Sequence, residues 1–293
     1  MNLNDYHLWT ALVTPLTPGL RVDFESLKNL IKEQDDAKNG LLILGSTGEA
    51  LNLDLETRKT IVEFALEQKP NSPIMVGVGG HDLPAQRAWI SWLETKNINA
   101  YLMVTPIYSK PNDKGQYIWF KTLMDSVTKP VMLYNVPGRA GTRLSLNAVK
   151  QLSSHKNFWG IKDAGGTVAG LKEYIAAAPN GKIYCGDDGL MPEFAAAGSC
   201  GLVSVASNTW PSETHLYVHH CLKGTLKEAT MWNTAANSLF IASNPIPAKA
   251  LLSDEKRIHH NTMMPPLCAD DLKGIDLLRV QNNNIKNWFK NNK

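Results

Sequence analysis

Gly160-Ile161-Lys162-Asp163-Ala164-Gly165 ends a short apolar run with a lysine, and about 28 residues earlier Leu133-Tyr134-Asn135-Val136-Pro137 ends an equivalent run with a tyrosine. This spacing is typical of consecutive βα units. The parallel strands of a barrel all end at the same face. The Lys162 amine and the Tyr134 phenol are therefore predicted to emerge side by side at the C-terminal mouth of such a barrel.

An amine beside a phenol predicts carbonyl chemistry. A lysine becomes nucleophilic at neutral pH when burial disfavours its ammonium form, and a nearby hydroxyl can move the protons that imine formation requires. The alternative is that Lys162 is a solvated or ion-paired charge, because Asp163 follows it directly and most lysines at strand ends are of that kind.

Composition narrows the class of protein. The chain has 293 residues, 43% of them apolar, and a net charge of +3. This content supports one large core, and the scattered Lys and Arg residues argue against a nucleic-acid binder. The four cysteines form no CxxC pair and the first six residues lack a secretion signal, which predicts a cytoplasmic protein without a metal site or disulfides. No apolar run reaches the roughly 20 residues of a membrane span.

Eight short apolar runs recur at intervals typical of a βα repeat. Between them, Asp23 and Asp54 are placed to cap helices, and Pro84 suits the first turn of a third. The pattern predicts an α/β fold, a (β/α)8 TIM barrel over residues 1–225. A doubly wound open sheet is the alternative, but Gly45-Ser46-Thr47-Gly48 is not the GxGxxG fingerprint. The predicted strands are 9–13, 41–44, 74–78, 100–104, 131–134, 158–161, 182–185 and 201–205.

The last part of the chain, residues 226–293, has helical patterns only. Helices are predicted over 226–242, 246–252 and 270–289. This C-terminal helical region is expected to pack on the barrel or to form subunit contacts. Its Asn-rich and Lys-rich end, 282–293, is predicted to be a frayed surface.

Polar residues that directly follow the strands are the candidates for an active site, because barrel enzymes build their sites there. The turn 45–49 offers two hydroxyls and several backbone N–H groups, which suit a small carboxylate. Tyr108 adds a second phenol, and Arg139 adds a guanidinium that can bind another carboxylate. The adjacent carboxylates of Asp187 and Asp188 would repel a phosphate, so an unphosphorylated acid is the expected substrate.

Six stretches together resemble the dihydrodipicolinate synthase family of pyruvate-dependent class I aldolases, which also includes N-acetylneuraminate lyase. The resemblance runs essentially from end to end, and the Tyr-Asn-Val-Pro-Gly-Arg stretch favours the synthases over the other aldolases. The stretches are Gly45-Ser46-Thr47-Gly48-Glu49, Val104-Thr105-Pro106-Ile107-Tyr108, Tyr134-Asn135-Val136-Pro137-Gly138-Arg139, Gly160-Ile161-Lys162-Asp163, Gly186-Asp187-Asp188 and Asn244-Pro245-Ile246-Pro247-Ala248-Lys249.

The resemblance implies a reaction: condensation of pyruvate with L-aspartate 4-semialdehyde, on the pathway to diaminopimelate and lysine, through a lysine Schiff base and without a cofactor. Lys162 would form the Schiff base, and Tyr134 would donate and accept its protons. The family further implies a homo-oligomer, a dimer or a dimer of dimers, in which Tyr108 reaches into the neighbouring site. Ser46 and Tyr108 would complete the proton relay, while Thr47, Arg139, Gly186 and the backbone near Val203 would bind substrate.

Two alternatives to this function stay open. Ser46 stands where the synthases usually have a threonine, and serine there is also common among sialic-acid lyases. The chain could therefore be another Schiff-base aldolase, acting on N-acetylneuraminate or a 2-keto-3-deoxy sugar acid. Arg139 favours the synthase, because a sugar pocket needs neutral hydroxyl partners. A non-catalytic pyruvate-binding barrel is the second alternative, although such a sensor needs no proton relay.

Feedback regulation by lysine is predicted to be weak or absent. In lysine-inhibited relatives, polar and acidic side chains at a dimer interface bind the inhibitor. The matching positions here are Leu55, Arg58, His81, Ala85 and Ile107. None of them is acidic, and a bound ammonium group needs an anion.

Overall fold

Eight parallel strands close into a barrel in the computed structural model, which describes residues 2–293. Each strand pairs with the next in the chain, and the eighth pairs with the first. The predicted TIM barrel is therefore confirmed; Met1, the first residue of the predicted barrel region 1–225, lies outside the described residues. The strands are β1 (Leu8–Ala11), β2 (Gly40–Ile43), β3 (Ile74–Val78), β4 (Ala100–Val104), β5 (Val131–Asn135), β6 (Phe158–Asp163), β7 (Lys182–Cys185) and β8 (Gly201–Ser204).

Helices connect the strands and surround the barrel. The predicted caps are confirmed: the side chains of Asp23 and Asp54 accept from the backbone N–H groups of Ser26 and Thr57, and Pro84 lies in a first turn. The helices are α1 (Phe24–Asp36), α2 (Leu55–Glu67), α3 (Leu83–Leu93), α4 (Asp113–Met124), α5 (Pro137–Ala140), α6 (Leu146–Leu152), α7 (Val168–Ala177), α8 (Met191–Ala196), α9 (Ala206–Thr209), α10 (Pro211–Lys223), α11 (Ala229–Ser238), α12 (Ile246–Asp254) and α13 (Asp276–Asn292). Short 3₁₀ turns lie at Leu3–Asp5, Ala50–Asn52, Asp188–Leu190 and Ala269–Asp271.

Two layers of apolar side chains hold the fold together. Alternate residues of the strands point inward, where large side chains fill the barrel, among them Trp9, Met75, Met132 and Tyr184. The outward-facing residues pack against the helices in a second, larger cluster. Because the interior is filled with side chains, open space for a ligand is left at the ends of the strands.

The end of the chain is ordered, which corrects the prediction of a frayed surface over 282–293. Helix α13 continues to Asn292, with Ile285 and Trp288 buried. The Trp288 indole N–H donates to the Glu228 carboxylate at 3.0 Å, and its ring packs edge-on against Trp232 at 5.0 Å. Apolar residues at helical spacing lie between the Asn and Lys residues and form the buried face of this helix.

No helix within residues 2–293 is long and apolar enough to cross a membrane.

Candidate active site

Lys162 and Tyr134 lie side by side at the C-terminal ends of β6 and β5. The two residues are direct partners in the strand register. The Lys162 Nζ atom lies 4.4 Å from the centroid of the Tyr134 ring. Both side chains are buried, with 4% and 7% of their surfaces exposed. The juxtaposition predicted from the 28-residue spacing is present, and the amine is shielded from water.

A second polar pair lies directly behind the first. Asn135 and Asp163 are the next partners in the register, and they face the helix layer because side chains alternate along a strand. The Asn135 side-chain amide nitrogen donates to Asp163 Oδ1 at 2.7 Å, and the Asn135 side-chain oxygen Oδ1 accepts from the Leu144 N–H at 2.9 Å. Burial raises the pKa of the Asp163 carboxyl. This pair fixes the ends of the strands that carry the amine and the phenol.

The turn after β2 offers hydrogen-bond donors to a small anion. Within the part of the chain that the structure describes, the backbone N–H groups of Ser46 and Thr47 find no acceptor. Thr47 is 2% exposed, and its hydroxyl oxygen accepts a hydrogen bond of 2.9 Å from the Asn244 amide. The Thr14 hydroxyl donates to the Gly48 carbonyl oxygen at 2.7 Å, which fixes the next residue of the turn.

A buried ion pair anchors the same turn to the C-terminal region. The Lys249 ammonium lies 2.8 Å from Glu49 Oε1, and neither side chain is exposed. Lys249 also donates to the Thr262 carbonyl oxygen, and Glu49 Oε2 accepts from the Met264 N–H at 2.6 Å. Burial lowers the pKa of the Lys249 ammonium group against the attraction of Glu49. The sequence places Lys249 in a stretch that resembles the family, but it does not indicate the ion pair with Glu49.

A cavity of about 360 Å³ lies at the barrel mouth beside these groups. Tyr134, Ser46 and Arg139 line it together, so the structure brings these three predicted residues to one space. Arg139 lies on the short helix α5, and its Nη2 donates to the Asn244 carbonyl oxygen at 3.0 Å. The guanidinium remains exposed enough to bind an anion from solution.

Tyr108 does not join these groups within its own chain. Its side chain is 87% exposed and its backbone has a φ of 66°, in the left-handed region. The Tyr108 ring lies 6.3 Å from the His81 ring. No hydrogen bond connects the hydroxyls of Tyr108, Ser46 and Tyr134 in residues 2–293. Ser46 and Tyr134 line the cavity at the barrel mouth, and Tyr108 of the same chain does not.

Acidic residues follow β7, the strand that pairs with β6 next to Lys162. Asp188 is fully buried, and it accepts from the Ser204 hydroxyl and from two backbone N–H groups. Asp187 Oδ2 is buried without a partner among the described residues. Burial raises the pKa of Asp187 to about 6, although the attraction of Lys162 opposes this shift. A carboxyl with this pKa gains or loses its proton near neutral pH.

The other two predicted site residues, Gly186 and Val203, have no polar side chain. A Cβ atom at Gly186 would lie 2.8 Å from the Cβ of Ala164, so only glycine lets the chain after β7 pass this close to the chain after β6. The Val203 side chain is fully buried among the residues that fill the barrel.

In residues 2–293, no three His, Cys, Asp or Glu side chains come together as a metal site.

Comparison with known proteins decides the family, because the model of the dihydrodipicolinate synthetase family matches residues 6–278. The chain belongs to this family. It is 46% identical to the 4-hydroxy-tetrahydrodipicolinate synthase of Wolbachia pipientis subsp. Culex pipiens over 96% of both chains, and 42% identical to that of Francisella tularensis subsp. novicida over 96% of both. The structure of the synthase from Methylacidiphilum fumariolicum superposes with a TM-score of 0.90 at 27% identity, over 98% of both chains.

These relatives confirm the family, the fold and the lyase class predicted from the sequence. All of the relatives named above are synthases, so they favour the synthase over the sugar-acid aldolases.

Proposed function

We propose that this enzyme condenses pyruvate with L-aspartate 4-semialdehyde to form 4-hydroxy-tetrahydrodipicolinate, a step toward diaminopimelate and lysine. The observation that carries the proposal is the buried contact between the Lys162 amine and the Tyr134 ring, at 4.4 Å. A shielded amine beside a phenol is suited to forming an imine with a ketone. The names of the curated relatives support the choice of substrates.

In the first half of the reaction, the Lys162 nitrogen attacks the ketone carbon of pyruvate. Tyr134 moves the proton from nitrogen to oxygen, the C–O bond breaks, and water leaves as the imine forms. The free N–H groups of Ser46 and Thr47, the Thr47 hydroxyl and the backbone near Val203 bind the pyruvate carboxylate. The imine then loses a proton from the methyl carbon and becomes an enamine.

In the second half, the enamine carbon attacks the aldehyde carbon of the semialdehyde, and the aldehyde oxygen becomes a hydroxyl. Arg139 binds the carboxylate of this substrate, and the close backbone at Gly186 helps to enclose it. The amino group of the substrate then attacks the imine carbon, the bond to Lys162 breaks, and the ring closes. One water is released for each product, and no cofactor is required for this sequence of bond changes.

The proposal includes a second copy of the chain. Tyr108 is exposed in its own chain, and in a dimer or a dimer of dimers it would complete the relay of Ser46 and Tyr134 in a neighbouring site. The proposal also includes the division into a catalytic barrel, residues 1–225, and a supporting helical region, residues 226–293. We place the enzyme in the cytoplasm.

Pyruvate consumption by the purified protein tests this function. The assay compares L-aspartate 4-semialdehyde with N-acetylmannosamine as the acceptor, using wild type, Lys162→Ala and the exposed control Lys172→Ala. We expect turnover with the semialdehyde only, lost in Lys162→Ala and retained in Lys172→Ala. Turnover with the sugar alone would assign the chain to the lyase branch, and an active Lys162→Ala enzyme would exclude the Schiff base.

A further inference from the structure

Asn244 contacts both residues to which the proposed function assigns a substrate carboxylate. Its side-chain amide donates to the Thr47 hydroxyl oxygen at 2.9 Å, and its backbone carbonyl oxygen accepts from Arg139 at 3.0 Å. The residue is 6% exposed and lies between α11 and α12, outside the barrel strands. One residue of the C-terminal region therefore links the two proposed binding sites.

The direction of the bond to Thr47 has a chemical consequence. An amide N–H can only donate, so the Thr47 oxygen is the acceptor and its own proton remains available. Among residues 2–293, this hydroxyl donates to no other group. It can therefore donate to an anion, beside the unpaired N–H groups of the same turn. In the reverse arrangement, the hydroxyl proton would point to Asn244 and lone pairs would face the anion.

The two contacts of Asn244 differ in how they depend on its identity. The bond to Thr47 requires the side chain, whereas the bond to Arg139 uses a backbone carbonyl that every residue has. The Asn244 Oδ1 atom is buried without a hydrogen-bond partner in the described chain. Replacing Asn244 therefore breaks no hydrogen bond of this oxygen. A side-chain substitution should therefore disturb Thr47 and leave Arg139 in place.

We propose that Asn244 is a positioning residue for the pyruvate site, because its amide orients the Thr47 hydroxyl as a donor to the pyruvate carboxylate. This inference rests on the proposed function. It makes the C-terminal region a determinant of pyruvate affinity, and it predicts that the two substrates respond differently to the loss of one amide.

The test measures pyruvate binding without the second substrate. Borohydride reduces the imine of Lys162 and pyruvate to a stable secondary amine, which intact-protein mass spectrometry detects. In Asn244→Leu, the pyruvate concentration for half-maximal trapping should rise about tenfold, as expected for one lost hydrogen bond to a charged group. In turnover assays, the KM for L-aspartate 4-semialdehyde should change less than twofold. The exposed control is Asn283→Leu on α13, which should match wild type.

A double-mutant cycle separates orientation of the hydroxyl from general structural damage. Thr47→Val should raise the half-maximal pyruvate concentration to a similar extent, and Asn244→Leu should add little in the Thr47→Val background. Asn244→Ala is the second variant if Asn244→Leu fails to fold. It should show the same change in pyruvate dependence.

Three outcomes would overturn the inference: an unchanged pyruvate dependence in a folded Asn244 variant, an equal loss for both substrates, or additive effects in the cycle. Failure of the wild-type protein to be trapped by pyruvate is a different result. It would remove the Schiff base of the proposed function, and the inference would fail with it.

Discussion

The turn after β2 and the loop after β4 stand on the same rim of the barrel but differ in how they are held. The turn is anchored by the buried pair of Glu49 and Lys249 and by the amide of Asn244. The loop after β4 presents Tyr108 to solvent, with 87% of its surface exposed. The anchored turn contains the proposed binding groups for the carboxylate, and the exposed loop contains Tyr108, the proposed proton carrier.

The difference indicates which parts of the site a single chain can complete. Binding groups that must fit a small carboxylate need a fixed geometry, which the C-terminal region supplies from behind. A side chain that acts in another subunit must project outward, so its exposure in one chain agrees with the proposed role. The geometry of the anchored turn should therefore be retained when the subunits separate, whereas the proton relay should be lost.

The largest expected effect is on the anchor itself. Lys249→Ala leaves the Glu49 carboxylate buried without its partner, which should cost about 3 to 5 kcal/mol of the free energy of unfolding. Urea denaturation at fixed protein concentration measures this loss. The control is Lys121→Ala, which removes an exposed pair with Asp125 and should change stability little. Equal losses in the two variants would mean that the buried pair is not a special anchor.

The exposed loop should affect catalysis rather than stability. Tyr108→Phe removes one hydroxyl from the proposed relay, and kcat should fall about 100-fold, the usual scale for a lost general acid or base. The urea midpoint should change little, because the substitution keeps the aromatic ring and removes only one hydroxyl group. Tyr117→Phe on α4 is the matched control, and it should keep wild-type kcat.

Mixing two inactive variants determines which chain Tyr108 serves. In a mixed dimer of Lys162→Ala and Tyr108→Phe chains, one site would combine an intact Lys162 with an intact Tyr108 from its neighbour. Activity well above the sum of the separate variants is the expected result. Activity equal to that sum would place Tyr108 outside the neighbouring site.

A smaller effect on the free energy of unfolding should come from Asp187. Unlike the loss of the Glu49–Lys249 pair, it should depend on pH. Burial raises the pKa of Asp187 from its ordinary value of 3.8 to about 6, so the folded state binds this proton more tightly than the unfolded state does. The stability from this group is complete below pH 3.8 and is lost as the pH rises through about 6. Asp187→Asn should therefore gain on the order of 2 kcal/mol over wild type at pH 7 relative to pH 4. A pH-independent difference in urea unfolding would contradict this assignment.

The smallest effect should be that of L-lysine. Leu55 and Ala85 are exposed and uncharged, while Arg58 lies 5.4 Å from the Trp89 ring centroid and offers no anion. Millimolar L-lysine should therefore leave the rate nearly unchanged in the turnover assay. An inhibition constant in the micromolar range would show that an ammonium site exists despite these residues.

The barrel was predictable because its apolar runs recur at a regular interval, and the contact of Lys162 with Tyr134 follows from that interval alone. The predictions 131–134 and 158–161 ended too early, whereas 9–13, 41–44 and 201–205 ended one or two residues too late. Strands β5 and β6 continue through Asn135 and Asp163, which pair with each other across the sheet. A polar residue after an apolar run looks like a loop until its partner on the next strand is known.

The anchor could not be predicted from local patterns. Asn244 and Lys249 contact residues that are 197 and 200 positions away in the chain. The one local signal was a lysine within the apolar helix α12, where a charge must find a partner. The sequence does not identify that partner, because it depends on how the C-terminal region folds back over the barrel mouth.

The proposed Schiff base between Lys162 and pyruvate can be tested by reducing it and locating the modified residue. The wild-type protein is treated with pyruvate and borohydride, digested, and examined by peptide mass spectrometry. We expect one reduced pyruvate adduct per chain, on the peptide that contains Lys162, and no adduct in Lys162→Ala. An adduct on another lysine, or none at saturating pyruvate, would contradict it.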